Sequence, residues 1–220
     1  MKFSSGTMDV LKSFATINPG IIFQEGNLLR TISPQKDVMA TAKVEDTFVG
    51  RAPVYDLSRF LACINMIGDA DIEFGEEQFV IKSGRSRSIY RYASESVVVA
   101  PPATDFAGKF SNKIAEFAVS WADIDQTMKS AGIFQLPDIA FVGDADGAVK
   151  LRALDEQDET SNTFDVDIED TECVGEFRVL LSADNLKLMP ADYEITLYGE
   201  GVAHFKSENV EYWVAIKATN

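Results

Sequence analysis

Few residues in this chain have the type and spacing to do chemistry. His204 is the single histidine, so a Ser-His-Asp or Cys-His nucleophile system has only that residue to build on. It lies in an alternating run beside Phe205 with no nucleophile elbow nearby, which reads as packing or surface. Cys63 and Cys173 are far apart and belong to neither a CxxC pair nor a Cys/His cluster, so a disulfide scaffold and a cysteine zinc module are both excluded. Neither GxGxxG nor GxxxxGK[ST] occurs, which removes the familiar phosphate-cradling loops. Asp69/Asp71, Glu76/Glu77 and Asp144/Asp146 are paired acids, yet none follows EF-hand spacing and each falls in a polar turn. No metal or cofactor is expected. Paired carboxylates for glycoside hydrolysis stay open at this level, because their separation is a three-dimensional quantity.

Charge carries more information than any motif. Among 220 residues, 20 Lys and Arg stand against 35 Asp and Glu, a formal charge of −15. Nine of the acids lie between Asp155 and Glu172, a stretch with no Lys or Arg, and include Asp165, Asp167 and Glu169. Arg85, Arg87 and Arg91 cluster in the first half. Two readings stand: solvated edges that discourage strand aggregation, or edges that meet between subunits in a head-to-tail contact able to close into a ring.

These residues need elements to hold them. Met8, Leu11, Phe14 and Ile17 recur at helical spacing and Asn18-Pro19-Gly20 ends the run. Asp56 is placed to cap a second helix with Leu57, Phe60, Leu61, Ile64 and Ile67 inward. Ser120 opens a third, from Trp121 to Ala131 before Gly132, with Trp121, Ile124 and Met128 inward. Ser182 opens a short fourth that reaches about Leu188. Short alternating runs between turn residues predict antiparallel strands around all four helices. Val97 to Ala100 is an extended run, and Pro101-Pro102 denies helix or central strand to the residues after it. The expected organisation is α+β: two similar domains, 1–98 and 113–220, each of antiparallel sheets with two helices, joined by a linker over 99–112. At 46% hydrophobic residues the chain has the material for a folded core. The N-terminus has no apolar run of signal length, and no stretch approaches the roughly 20 apolar residues that span a bilayer. A cytoplasmic location and no membrane partner are expected.

Several segments together are familiar. Leu11-Lys12-Ser13-Phe14-Ala15-Thr16-Ile17-Asn18-Pro19-Gly20-Ile21, Val54-Tyr55-Asp56-Leu57 through Phe60-Leu61, and Val98-Val99-Ala100-Pro101 fall in order along the first half. Leu186-Lys187-Leu188-Met189-Pro190 with Asp192-Tyr193, and Tyr212 through Ala218, come next in the second. In this order and spacing the chain resembles the sliding clamps of T-even-type bacteriophages, the DNA polymerase processivity factors. The likeness departs most in residues 75–93 and 155–172.

The resemblance implies a closed homotrimeric ring that encircles duplex DNA without sequence preference and has no enzymatic activity, in the cytoplasm of an infected bacterium. The partners it implies are the replicative DNA polymerase and an ATP-driven clamp loader, with transcription factors as a further candidate. A ring held by topology needs little affinity for phosphate, which accounts for a charge of −15 on a DNA-associated protein. Lys12, Arg59, Lys129 and Lys187, one per expected helix, are the DNA-facing candidates. Ile32, Val38, Pro101, Pro102, Phe106, Trp213, Ala215 and Ile216 are the candidates for an apolar groove that takes partner peptides. Arg85, Arg87 and Arg91 against Asp165, Asp167 and Glu169 form the candidate subunit seam. The alternatives are an acidic β-rich hydrolase and a structural β protein.

Overall fold

The computed structural model describes residues 1–102, 108–168, 171 and 175–218. The chain divides into two compact units, Met1–Ala103 and Thr104–Asn220.

The first unit begins with α1 (Ser5–Ile17), where Ser4 Oγ accepts from the Thr7 amide at 3.1 Å, so the helix starts on a side-chain cap. Its buried stripe is Thr7, Val10, Leu11, Phe14 and Ile17. Met8, expected inside, is half-buried, because the stripe is rotated toward Thr7 and Val10. Then come β1 (Ile21–Phe23), β2 (Gly26–Ile32), β3 (Val38–Phe48) and β4 (Ala52–Val54). Next is α2 (Leu57–Ile67), capped by Asp56 Oδ1 on the Arg59 amide at 2.8 Å. Last are β5 (Asp71–Phe74), β6 (Gln78–Ser83) and β7 (Ser86–Arg91). β1 pairs with β4, β2 with β3, and β5–β6–β7 form a three-stranded meander, all antiparallel. Phe23 sits among Phe48, Phe60, Phe74 and Phe79 with ring centroids 5.1 to 6.0 Å apart in edge-to-face arrangements. Aromatic pairs prefer that geometry, and it welds helix and strands into one core. The run expected to be extended from Val97 starts instead as a single 3₁₀ turn, Glu95–Val97.

The second unit contains β8 (Lys113–Val119), α3 (Trp121–Phe134), β9 (Asp138–Gly143), β10 (Val149–Leu154), β11 (Phe164–Ile168), β12 (Phe177–Ser182), β13 (Tyr193–Tyr198), β14 (Val202–Lys206) and β15 (Val210–Ala215). One sheet runs β11–β10–β9–β12, and β8, β13, β14 and β15 pair in that order, all antiparallel. Inside α3 only Ile124, Thr127 and Ala131 are buried; Trp121 and Met128 are half-buried. Gly132 does not end the helix. A mid-helix glycine costs only about 1 kcal/mol, and the chain turns instead at Gln135, whose φ of 57° is left-handed and whose amide bonds back to the Ala131 carbonyl.

The expected fourth helix is absent. Ala183–Asn185 makes one 3₁₀ turn and the chain then runs irregularly to Pro190. Asp184 and Asn185 are poor helix formers, and buried Leu186 and half-buried Leu188 turn toward α3, where they line one small apolar cavity with Ile124, Thr127 and Met128. Among the described residues the units are therefore α+β, with two long helices in the first and one in the second. Tyr193 Oη donates to the Met189 carbonyl at 2.6 Å and the Met189 amide donates to Tyr212 Oη at 3.1 Å, so the irregular segment has a fixed path. Asp192 Oδ1 accepts from the Trp121 amide at 2.8 Å, at the first turn of α3.

Candidate functional site

The three long helices each turn one apolar stripe inward, which leaves their basic residues in solvent. Lys12, Arg59 and Lys129 are all exposed. Each is held by an acid one turn away: Lys12 Nζ lies 2.9 Å from Asp9 Oδ1, Arg59 Nε 3.4 Å from Asp56 Oδ2, and Lys129 Nζ 2.5 Å from Asp125 Oδ2. α1 and α2 pack on one another, so Lys12 and Arg59 stand on adjacent helices. Lys187 is exposed as well, but it lies in the irregular segment rather than on a helix, because its helix does not form.

The charged edges are real strand edges. Among the described residues β7 has only β6 as neighbour in its meander, and β11 has only β10. Along β7 the pleat puts Arg87, Ile89 and Arg91 on the exposed face, with Ile89 49% exposed. Tyr90, on the other face, donates to the Asp56 carbonyl at 2.8 Å and packs its ring 5.1 Å from Phe60. Arg85 is exposed in the turn before β7. Asp165 already has a partner in its own sheet: the Arg152 guanidinium grips it through two nitrogens, both at 2.7 Å, across the β10–β11 pair. That grip holds its carboxyl below the usual carboxylate range. Lys150 sits 3.8 Å from Asp165 and 3.6 Å from Asp167, and the Asp167 side chain is 88% exposed. Glu169 lies outside the described residues. Sequence reasoning counted the acids and missed Lys150 and Arg152 on the neighbouring strand, and it passed over Ile89.

The apolar candidates divide between the units. In the first, Ile32 and Val38 flank the β2–β3 turn and are buried, while Pro101 is half-buried and Pro102 exposed. In the second, Trp213 is buried on β15 with its ring stacked 4.7 Å from His204, which is 3.0 Å from Glu211. Ala215 and Ile216 are half-buried, and Phe106 lies outside the described residues. Among the described residues no group of three or more His, Cys, Asp or Glu converges to hold a metal ion.

Comparison with known families settles what this arrangement belongs to. Residues 4–100 match the DNA polymerase processivity factor family and residues 116–218 match the gp45 sliding clamp C-terminal family. The sliding clamp of Vibrio phage KVP40 is 30% identical over 222 residues, which cover 99% of this chain and 100% of that one. The chain belongs to the sliding-clamp family. The clamp of Enterobacteria phage T4 is 27% identical, with 99% and 97% covered. Among solved structures, A. fulgidus PCNA bound to the C-terminal region of FEN-1 has a TM-score of 0.70 at 16% identity, covering 97% of this chain and 95% of that one. The Helicobacter pylori beta clamp bound to a DNA ligase peptide also reaches 0.70, at 13% identity with 100% and 67% covered. At such identities the likeness is one of fold. Its function is that of a DNA polymerase processivity factor, an accessory to the polymerase; the hydrolase and structural-protein alternatives are not favoured.

Proposed function

We propose that the chain closes as a homotrimeric ring around duplex DNA and tethers the replicative polymerase, with no reaction of its own. The observation that carries this reading is a pair of oppositely charged edge strands, one in each unit, each with a single neighbour among the described residues: basic and partly apolar β7, and acidic β11. A head-to-tail contact between such edges repeats with each subunit and closes when the rotation is right. In this reading Arg85, Arg87 and Arg91 approach Asp167 and Glu169 of the next subunit, Ile89 adds an apolar contact, and Asp165 belongs to its own sheet. Lys12, Arg59 and Lys129 face the duplex. Lys187 faces it from an irregular segment instead of a helix.

Partner proteins dock short peptides, as the FEN-1 and ligase segments do in the related structures. In the first unit Ile32, Val38, Pro101 and Pro102, and in the second Phe106, Trp213, Ala215 and Ile216, are the proposed apolar contributors. An ATP-driven loader opens the ring, and the protein works in the cytoplasm of an infected bacterium. The test is topological. Retention on a nicked circular DNA should require the loader, and cutting the circle should release the protein, because sliding off an end breaks no contact. Equal retention on open-ended linear DNA would falsify the ring.

A further inference from the structure

The helix faces proposed for DNA are not basic. Across α1, α2 with its capping Asp56, and α3, the charged side chains are Lys12, Arg59 and Lys129 against Asp9, Asp56, Asp123 and Asp125. Every one of the three cations is already within ion-pair distance of one of those acids. A face whose cations are paired differs from one that lacks cations, since each cation can be passed from its carboxylate to a passing phosphate. The exchange is easy, because exposed pairs one helical turn apart are worth only roughly a factor of two in an equilibrium.

We propose that Asp9 and Asp125 attenuate the grip of the ring on DNA. Each competes with phosphate for the cation beside it and, once displaced, leaves a negative charge facing the backbone. The ring then rests lightly on the duplex, with contacts that exchange as it slides. The inference rests on the reading that the exposed faces of α1 and α3 meet DNA. Asp56 shares the geometry but also caps α2 through the Arg59 amide, so its loss would confound helix stability with charge. Asp9 and Asp125 cap nothing: among the described residues their carboxylates are held by Lys12 and Lys129. Both are exposed enough for an amide to replace the acid without disturbing a core, with side chains 60% and 35% accessible.

The experiment measures threading of the intact trimer onto a short, blunt-ended, fluorescein-labelled duplex by anisotropy over a series of salt concentrations. The Asp9→Asn, Asp125→Asn variant should bind about tenfold more tightly at low salt, from roughly a factor of two at each of the few contacts engaged at once. The gain should shrink as salt rises and become smaller, leaving only the relief of carboxylate repulsion, when Lys12→Ala and Lys129→Ala are added, a coupling that a purely structural effect would not produce. Glu45→Gln with Glu208→Gln changes net charge equally at exposed positions away from these pairs. If that control tightens binding as much, the long-range field is responsible and the proposal is overturned. If Lys12→Ala and Lys129→Ala weaken threading while the two Asn substitutions leave it unchanged, the attenuators are overturned and the DNA-facing assignment stands. If the Lys substitutions change nothing, the DNA-facing assignment fails and the proposal falls with it.

Discussion

The buried side-chain amide of Asn18 donates to the Val99 carbonyl at 2.8 Å and, from the same nitrogen, to the Ile32 carbonyl at 2.8 Å. Its Oδ1 accepts from the Gly20 amide at 2.9 Å, so both ends of a side chain only 3% exposed are satisfied. The chain stop after α1 is thus also the anchor for the segment that leaves the first unit. Gly20 is part of the same arrangement: a Cβ there would come within 3.1 Å of Val98 Cγ1 and 3.0 Å of the Val54 carbonyl.

Asn18→Ala should therefore cost about 3 kcal/mol, because two carbonyls and a buried amide lose their partners. Urea melting of the purified protein measures it. A loss under about 0.5 kcal/mol, the scale of an ordinary surface change, would mean that the anchor is dispensable.

The Arg152–Asp165 pair gives a pH dependence of known sign. The Asp165 carboxyl is depressed in the folded state, so its contribution is fully present above the unfolded carboxylate value of about 4 and is lost as pH falls through the lower folded value. The destabilisation caused by Asp165→Asn should accordingly be constant near neutrality and disappear in acid. Thermal melts of both proteins from pH 7 to pH 3 test this; a difference that grew on acidification would contradict it.

At the far end of β15, Lys217 pairs with Asp138, whose side chain is 1% exposed, while Asp138 Oδ2 accepts from the Glu156 amide at 3.2 Å. Lys217→Met removes the counter-charge bonded to that carboxylate and leaves only the weaker pull of Arg178, so it should cost about 2 to 3 kcal/mol, below the fully buried range because the lysine is 40% exposed. Asp138→Asn in the Lys217→Met background should recover part of the loss, since the amide oxygen can still take the Glu156 donor. No recovery in calorimetric melts would assign the loss to something other than charge.

The seam should respond to salt and to its apolar component separately. Arg87→Glu with Arg91→Glu should lower the trimer fraction at low ionic strength, with the effect fading as the Debye length falls below about 8 Å. Ile89→Ser should weaken the trimer at every salt concentration, as loss of buried apolar area does. Sedimentation equilibrium reads both, and a trimer indifferent to all three changes would move the seam away from β7.

Much of the chain was legible in its residues because the governing interactions are local. Asp56 and Ser120 cap helices where side-chain oxygens reach amides three residues on, and the alternating runs became strands with only their ends displaced. The family was legible too, since segments such as Leu11 to Ile21 and Tyr212 to Ala218 keep their order and spacing. Tertiary structure decided the rest. Whether Ser182 to Leu188 forms a helix depends on Leu186 and Leu188 being drawn beneath α3, which outweighs a helical pattern of seven residues. The fate of Asp165 depended on Arg152, thirteen positions away and directly opposite in the β10–β11 register, a pairing that strand alignment creates and spacing does not announce. Asn18 reads in sequence as a helix stop, and only the fold brings Val99 within 2.8 Å of it. Local propensities and caps travel with the sequence, whereas the partners of buried amides and carboxylates are set by chain segments that meet only when the core forms.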